Sequence, residues 1–169
     1  MKIEMRMATL QDAETLASFG AETFRYGCPP GTAEEDLAAF IASELTPEQF
    51  RRYLSNVDVT IYVAEAEGKM AGYLMVVRGS RHEQVKAERQ HEIRKLYVHP
   101  QFHGHGVAHE LMRVALRQIE TDDVWLGVFS GNTRALAFYR KWGFEVIGRQ
   151  IFMVGRDAQQ DFVMQRMRK

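Results

Sequence analysis

The apolar positions of this chain alternate between strand and helix period several times, and the changes divide it into elements. Residues 2–7 alternate as a short strand would. Thr9, followed three residues on by Asp12, resembles a capping box, and Ala13, Leu16, Ala17, Phe19 and Phe24 then fall at helical spacing. Cys28-Pro29-Pro30-Gly31 breaks that helix. Thr32 to Glu44 predicts a second one, with Leu37, Phe40, Ile41 and Leu45 along one side, and Pro47 suits the first turn of a third, short helix.

From Val59 the period is that of strands. Val59 to Ala64 is β-rich, and Glu67-Gly68-Lys69 makes a hairpin turn into Ala71–Val77. Residues 78–91 are strongly charged and read as a solvated loop. Ile93 to Val98 predicts a strand stopped by Pro100, and Val107, Leu111, Val114, Ala115 and Ile119 return to helical spacing. A strand over Val124–Phe129 follows, then a short helix outlined by Ala135, Leu136, Phe138, Tyr139 and Trp142. Two last strands, about 144–154 and 160–167, are joined by Gly155-Arg156-Asp157. The order is mixed α/β with a long helical insertion after the first strand.

Composition narrows the class. No linker, repeat or low-complexity tract divides the 169 residues, so one domain over 1–169 is expected. Twenty-two basic side chains balance twenty-two acidic ones, so no net charge favours nucleic acid or an anionic membrane. No apolar run approaches the roughly 18 residues of a membrane span. The N-terminal MKIEMRMATLQD places charges where a signal peptide needs an apolar stretch. One cysteine, Cys28, allows no internal disulfide. A soluble cytoplasmic protein, monomer or homodimer, is expected.

Chemistry concentrates in Leu96-Tyr97-Val98-His99-Pro100-Gln101-Phe102-His103-Gly104-His105-Gly106-Val107-Ala108. A strand runs into a glycine-spaced turn that opens an amphipathic helix. The first amides of a helix lack internal partners, and with the helix dipole they attract anions. Glycines at 104 and 106 let the backbone approach a bulky phosphate. The segment lacks the Lys-Ser/Thr pair of a P-loop, and His109 stands where a dinucleotide fingerprint needs its third glycine. Alone, Gly-x-Gly is equally a tight turn.

The downstream segment decides between these readings. Gln101-x-x-Gly104-x-Gly106-x-Ala108 resembles the acyl-CoA loop of the GNAT superfamily of N-acetyltransferases. Asn132-x-x-Ala135-x-x-Phe138-Tyr139-x-Lys141-x-Gly143-Phe144 resembles the second half of the same site. Shorter words extend the likeness toward PaiA-type polyamine N-acetyltransferases: Glu22-Thr23-Phe24, Val124-Trp125-Leu126-Gly127-Val128, and Phe152-Met153-Val154-Gly155 to Asp161. The resemblance implies a mixed, mostly antiparallel sheet of about seven strands with four or five flanking helices. It also implies acetyl-CoA as cosubstrate and a small-molecule amine, such as spermidine, as acceptor. The pantetheine arm would lie along Leu96, Tyr97 and Val98, where the fourth and fifth strands splay. The pyrophosphate would rest on amides from about His103 through Gly104, His105, Gly106 and Val107 to Ala108. Asn132 would bond the pantetheine end, and Arg140 and Lys141 are candidates for the 3′-phosphate.

Amine acetylation needs a free amine, a polarised carbonyl and a proton for the leaving thiolate. Tyr139 is the implied acid, since a phenol of pKa about 10 keeps its proton at neutral pH; otherwise it is an aromatic packing beside Phe138. The Val98 N–H is the expected oxyanion donor. Glu92 is the first candidate base, with His91 second; alternatively Glu92 pairs with Arg94, and many members of the superfamily use no dedicated base. Glu22 and Phe24, and the Glu34-Glu35-Asp36 run, are candidates for the amine, although acids also suit the first turn of any helix. No metal is expected. His105 and His109 sit four apart, but no His-Glu-x-x-His pattern accompanies them. Cys28 is read as a loop residue rather than an acyl carrier. The rival readings are acetylation of a protein N-terminus or lysine, and a non-catalytic acetyl-CoA sensor.

Overall fold

The computed structural model describes all residues, Met1–Lys169. Seven strands, β1 (Ile3–Met7), β2 (Val59–Ala66), β3 (Lys69–Arg78), β4 (Gln90–Val98), β5 (Asp123–Phe129), β6 (Glu145–Val154) and β7 (Asp157–Arg166), form one sheet in the order β1-β2-β3-β4-β5-β7-β6. Every neighbouring pair is antiparallel except β4 and β5. Helices α1 (Ala13–Thr23), α2 (Glu34–Glu44) and α3 (Pro47–Ser55) pack on one face, and α4 (Val107–Ile119) on the other. Helix α5 (Thr133–Lys141) follows β5. The mixed α/β sheet with flanking helices is the fold expected from the sequence.

The strands are apolar on both faces because helices cover both. Ile61, Val63, Tyr73, Met75 and Val77 enter the core under α1–α3. Tyr62, Ala64, Leu74 and Val76 enter the core under α4. Leu111, Met112, Leu116 and Ile119 of α4 are buried there, each contributing about 1.5–3 kcal/mol relative to exposure. Gly72 lets α4 sit this close, since a Cβ there would lie 2.7 Å from the Tyr97 carbonyl and 3.2 Å from side-chain atoms of Leu111 and Val107.

Three boundaries differ from the sequence reading. The first helix stops at Thr23 and tightens into a 3₁₀ turn over Phe24–Gly27. Strand β7 begins at Asp157, so the last hairpin turns on Gly155-Arg156 alone, with Gly155 at φ +57°. The charged stretch 78–91 is no free loop, for β4 already begins at Gln90. Val85 is buried with Trp125 and Val163. The Gln90 amide donates to the Val85 and Ala87 carbonyls, and Trp125 Nε1 donates to the Ser80 carbonyl. The charges of the stretch face water while one apolar side chain and these bonds strap it down.

The Gly72 contact gives a stability test. Gly72→Ala is expected to destabilise by about 1–3 kcal/mol through overpacking, and so to lower Tm by several degrees in a calorimetric scan. An unchanged Tm would mean that α4 does not rest on the sheet at this point.

Candidate active site

The site begins where β4 and β5 part. Their parallel pairing covers Gln90–Asp123, His91–Val124 and Glu92–Trp125, and ends there. One residue later β4 carries a bulge against β3, whose partners step from Val76↔Ile93 to Met75↔Lys95 and leave Arg94 extra. The bulge reverses the faces of all that follows. Lys95 and Tyr97 therefore turn toward the face of α1–α3, while Leu96 and Val98 pack toward α4. The His99 amide donates to the Ala71 carbonyl at 2.9 Å, which sets the phase of the β3–β4 ladder. By alternation the backbone groups of Tyr97 face β3, and those of Leu96 and Val98 face the gap. A cavity of about 630 Å³ runs through this gap.

At one end of the cavity is the glycine turn. Gly104 and Gly106 have φ of +80° and +81°, values that other residues adopt only with strain, and Gly106 caps α4. The His103 and His105 amides are used within the turn, donating to the Pro100 and Phe102 carbonyls. The amides of Gly104, Gly106, Val107, Ala108 and His109 have no backbone acceptor. The free donors thus start one residue later than expected and skip His105. The His103 ring is held at both nitrogens: Arg134 donates to Nδ1 at 3.1 Å, which leaves Nε2–H to donate to the Val98 carbonyl at 2.9 Å. His103, Gly104, Gly106, Val107, Ala108, Arg134 and Lys141 line the cavity, whereas Gln101, His105 and Arg140 do not.

Midway, α5 presents Tyr139. Asn132 caps the helix by accepting from the Ala135 amide at 3.1 Å, leaving its own NH₂ free at the cavity wall. Tyr139 packs edge-on against Phe144, with ring centroids 5.9 Å apart, and its remaining surface opens on the cavity. Burial pushes its hydroxyl above the ordinary tyrosine range, so it stays protonated.

Beyond Tyr139 the cavity opens on the α1–α3 face between Phe24, Tyr26, Cys28, Lys95, Tyr97, Phe152, Gln159 and Asp161. Asp161, on β7, is the one carboxylate in the wall, and burial pushes it up to about 6, against the pull of the neighbouring Gln150 side chain. Gly127 leaves room for that pair: a Cβ there would lie 2.3 Å from the Gln150 amide nitrogen. Gln150 is anchored in turn by His82, 2.9 Å away. Burial, with Asp161 and Asp157 nearby, pushes the Cys28 thiol up to about 11, so it is no thiolate nucleophile at neutral pH.

Of the expected acidic residues, none reaches the cavity wall. Glu92 accepts from Ser80 Oγ at 2.8 Å and from Arg94 at 2.7 Å, the pairing left open in the sequence. Glu22 is bound by His99 Nε2 at 2.9 Å, which ties α1 to the glycine turn, while its neighbour Phe24 does line the cavity. Asp36 accepts from the Arg156 amide and Glu34 pairs with Arg25, so that run braces other loops. His91 is held by Asp122 at 2.8 Å. Asp161, Lys95 and Arg134 were not singled out by sequence pattern. Asp161 stands in an alternating run of buried Gln159, Asp161 and Val163, and an acid at a buried strand position was the available signal. No group of three or more metal-ligating side chains occurs, and no helix is long and apolar enough to cross a membrane.

Comparison with known proteins agrees with this geometry. The model of the acetyltransferase (GNAT) family matches residues 28–144. An uncharacterised N-acetyltransferase of Mycobacterium bovis is 37% identical over 160 residues, spanning 93% of this chain and 98% of its own. A counterpart from Mycobacterium tuberculosis has the same identity and coverage. Among solved structures, the PaiA N-acetyltransferase of Thermoplasma acidophilum in complex with coenzyme A superposes with a TM-score of 0.77 at 21% identity, covering 99% of both chains.

The glycine turn yields a binding test. Arg134→Ala removes both a cation at the cavity wall and the donor that fixes His103. It is expected to weaken coenzyme A binding by about tenfold, the scale of one lost charged hydrogen bond. Unaltered affinity by titration calorimetry would remove Arg134 from the site.

Proposed function

The chain belongs to the GNAT family and is an acetyl-CoA-dependent N-acetyltransferase; from that premise we propose that its acceptor is a small-molecule primary amine, received at Asp161, with Tyr139 as the acid. The observation that carries this reading is the cavity itself. It joins the free amides of the glycine turn to a proton-holding tyrosine and then to a single buried carboxylate. The words shared with PaiA-type polyamine enzymes make spermidine the first acceptor to assay.

An ammonium entering from the α1–α3 side meets Asp161, whose carboxylate is ionised above about pH 6. Asp161 takes the proton, directly or through water, leaving the amine free to attack. Acetyl-CoA supplies the thioester, whose carbonyl carbon accepts the amine nitrogen while its C–S bond breaks and the thiolate leaves. The Val98 and Leu96 amides in the gap are the donors available to a carbonyl oxygen as charge develops on it. Tyr139 gives its proton to the departing sulfur, the second proton that the nitrogen sheds on becoming an amide returns through water to the tyrosinate, and Asp161 releases its own to solvent. Glu92, bound to Arg94 and Ser80, supports the strand at the start of the gap.

Three measurements test the assignment. With acetyl-CoA and spermidine, diamines or alkylamines, free thiol should appear, and Tyr139→Phe should lower kcat by about 10²- to 10⁴-fold with coenzyme A affinity kept. A rate like wild type would remove Tyr139 as the acid. Asp161→Asn should lower kcat/KM and abolish the loss of activity that wild type shows as pH falls through about 6.

The same carboxylate affects stability with a definite sign. Its folded pKa lies above the ordinary range, so its contribution is fully present below the unfolded value of about 3.9 and is lost as pH rises through the folded one. Above that, ionised Asp161 is a net cost, and Asp161→Asn should raise Tm at pH 8 while impairing turnover. A lower Tm at pH 8 would count against a buried, ionised carboxylate.

A further inference from the structure

Lys95 is the one cation in the acceptor half of the cavity wall that has no carboxylate partner. Its residue is only 8% exposed, and it lines the cavity. The bulge at Arg94 turns it to this face, for an unbroken β4 would direct it into the core under α4. Its ammonium stands 5.9 Å from the centre of the Phe40 ring. Phe40 stacks on Phe24 at 4.2 Å and meets Phe152 at 5.5 Å, and these last two rings line the cavity, so Lys95 borders its aromatic wall.

No hydrogen bond or ion pair reaches Lys95 Nζ. Glu44 on α2 favours its charge from beyond pairing distance, Glu92 is committed to Arg94, and Asp161 stands across the cavity on β7 without pairing to it. Burial lowers its pKa to about 8, so at neutral pH much of it is a charged group taken out of water. Buried charges in folded proteins are ordinarily paired. Here the protein supplies a ring face and no bonded partner, on a residue that stands in the cavity wall.

We propose that Lys95 binds an anionic group of the acceptor, so that this enzyme acetylates a small amine carrying a carboxylate or comparable anion in preference to a polycation. The inference rests on the reading that the acceptor's amine is received at Asp161. Together the two residues would hold a zwitterion by its opposite ends, amine toward Asp161 and anion toward Lys95. A diamine or spermidine would instead bring a second cation against an unpaired lysine, with no other carboxylate in the wall to receive it. Lys95 is on this account a specificity residue, remote from the proton transfers.

The test compares three homologous series, linear ω-amino carboxylates, alkylamines and α,ω-diamines, each of two to six carbons, with spermidine alongside. Wild type should favour the best amino carboxylate over the alkylamine of equal length by about tenfold or more in kcat/KM, mainly through KM. Within each variant the ratio of the two is the readout, which cancels any general loss of folded protein. Lys95→Met should bring that ratio near unity, Lys95→Arg should retain much of it, and Lys95→Glu should turn the preference to diamines. Diamines or spermidine preferred by wild type, or a ratio untouched in Lys95→Met, would overturn the proposal. Should wild type acetylate none of these amines, the reading of the acceptor site fails first. Calorimetric binding of the amino carboxylates to wild type but not to Lys95→Met would then still uphold Lys95, and no difference in binding would overturn it.

Discussion

The early end of pairing between β4 and β5 is the constraint from which the rest of the site follows. Two parallel neighbours that stay in register bury each other's backbone groups, and these two stop after Glu92 and Trp125. From there the Leu96 and Val98 amides look into the gap, where only the Val98 carbonyl is taken, by the His103 ring, and buried backbone donors require partners. An extended ligand laid along β4 supplies them. The glycine turn stands at the end of that same strand because His99 and Pro100 stop it and α4 must start above the sheet. A site for an acyl carrier is thus built mostly from main chain.

The bulge at Arg94 does the complementary work. One additional residue reverses the faces of β4, so Lys95 and Tyr97 join the acceptor side and Leu96 and Val98 join the core under α4. Without it, a lysine would be forced into an apolar core and two aliphatic side chains would line the acceptor mouth. The acceptor half then mixes opposite tendencies in little water. Burial raises Asp161 and lowers Lys95, bringing both nearer neutral pH, and it raises Tyr139 away from it. The first two sit where small changes of surroundings alter their charge; the third keeps its proton. Holding these groups dry costs stability, and the large apolar cores on both sheet faces offset that cost.

Much of this was legible in the chain. The switches of hydrophobic period predicted five helices and seven strands in order, because helices pack by one stripe while strands alternate or run apolar and β-branched over a few residues. The glycines at 104 and 106 marked the anion turn, because left-handed backbone is cheap only for glycine. Asn132 and Tyr139, singled out by the family resemblance, do lie in the cavity wall. The stretch 78–91 was misread because charge count describes the side facing water and says nothing of the single Val85 beneath. Glu92 and Glu22 drew attention as acids near the motifs: the pairing of Glu92 with Arg94, two residues on, was open in the sequence, whereas that of Glu22 with His99, 77 residues away, was not.

The chain alone, then, carried the fold class and the glycine-spaced turn, since each depends on residues close in sequence and on local backbone preference, while the family resemblance carried the cosubstrate. Tertiary structure alone decided the acceptor side. Asp161, Lys95, Cys28 and Phe152 come from four separate elements, and no local preference links them. Their meeting depends on a one-residue bulge and on strand β7 inserting between β5 and β6. Which charges are paired and which stay open to a ligand is a property of distances across the sheet, and those exist only once the chain has folded.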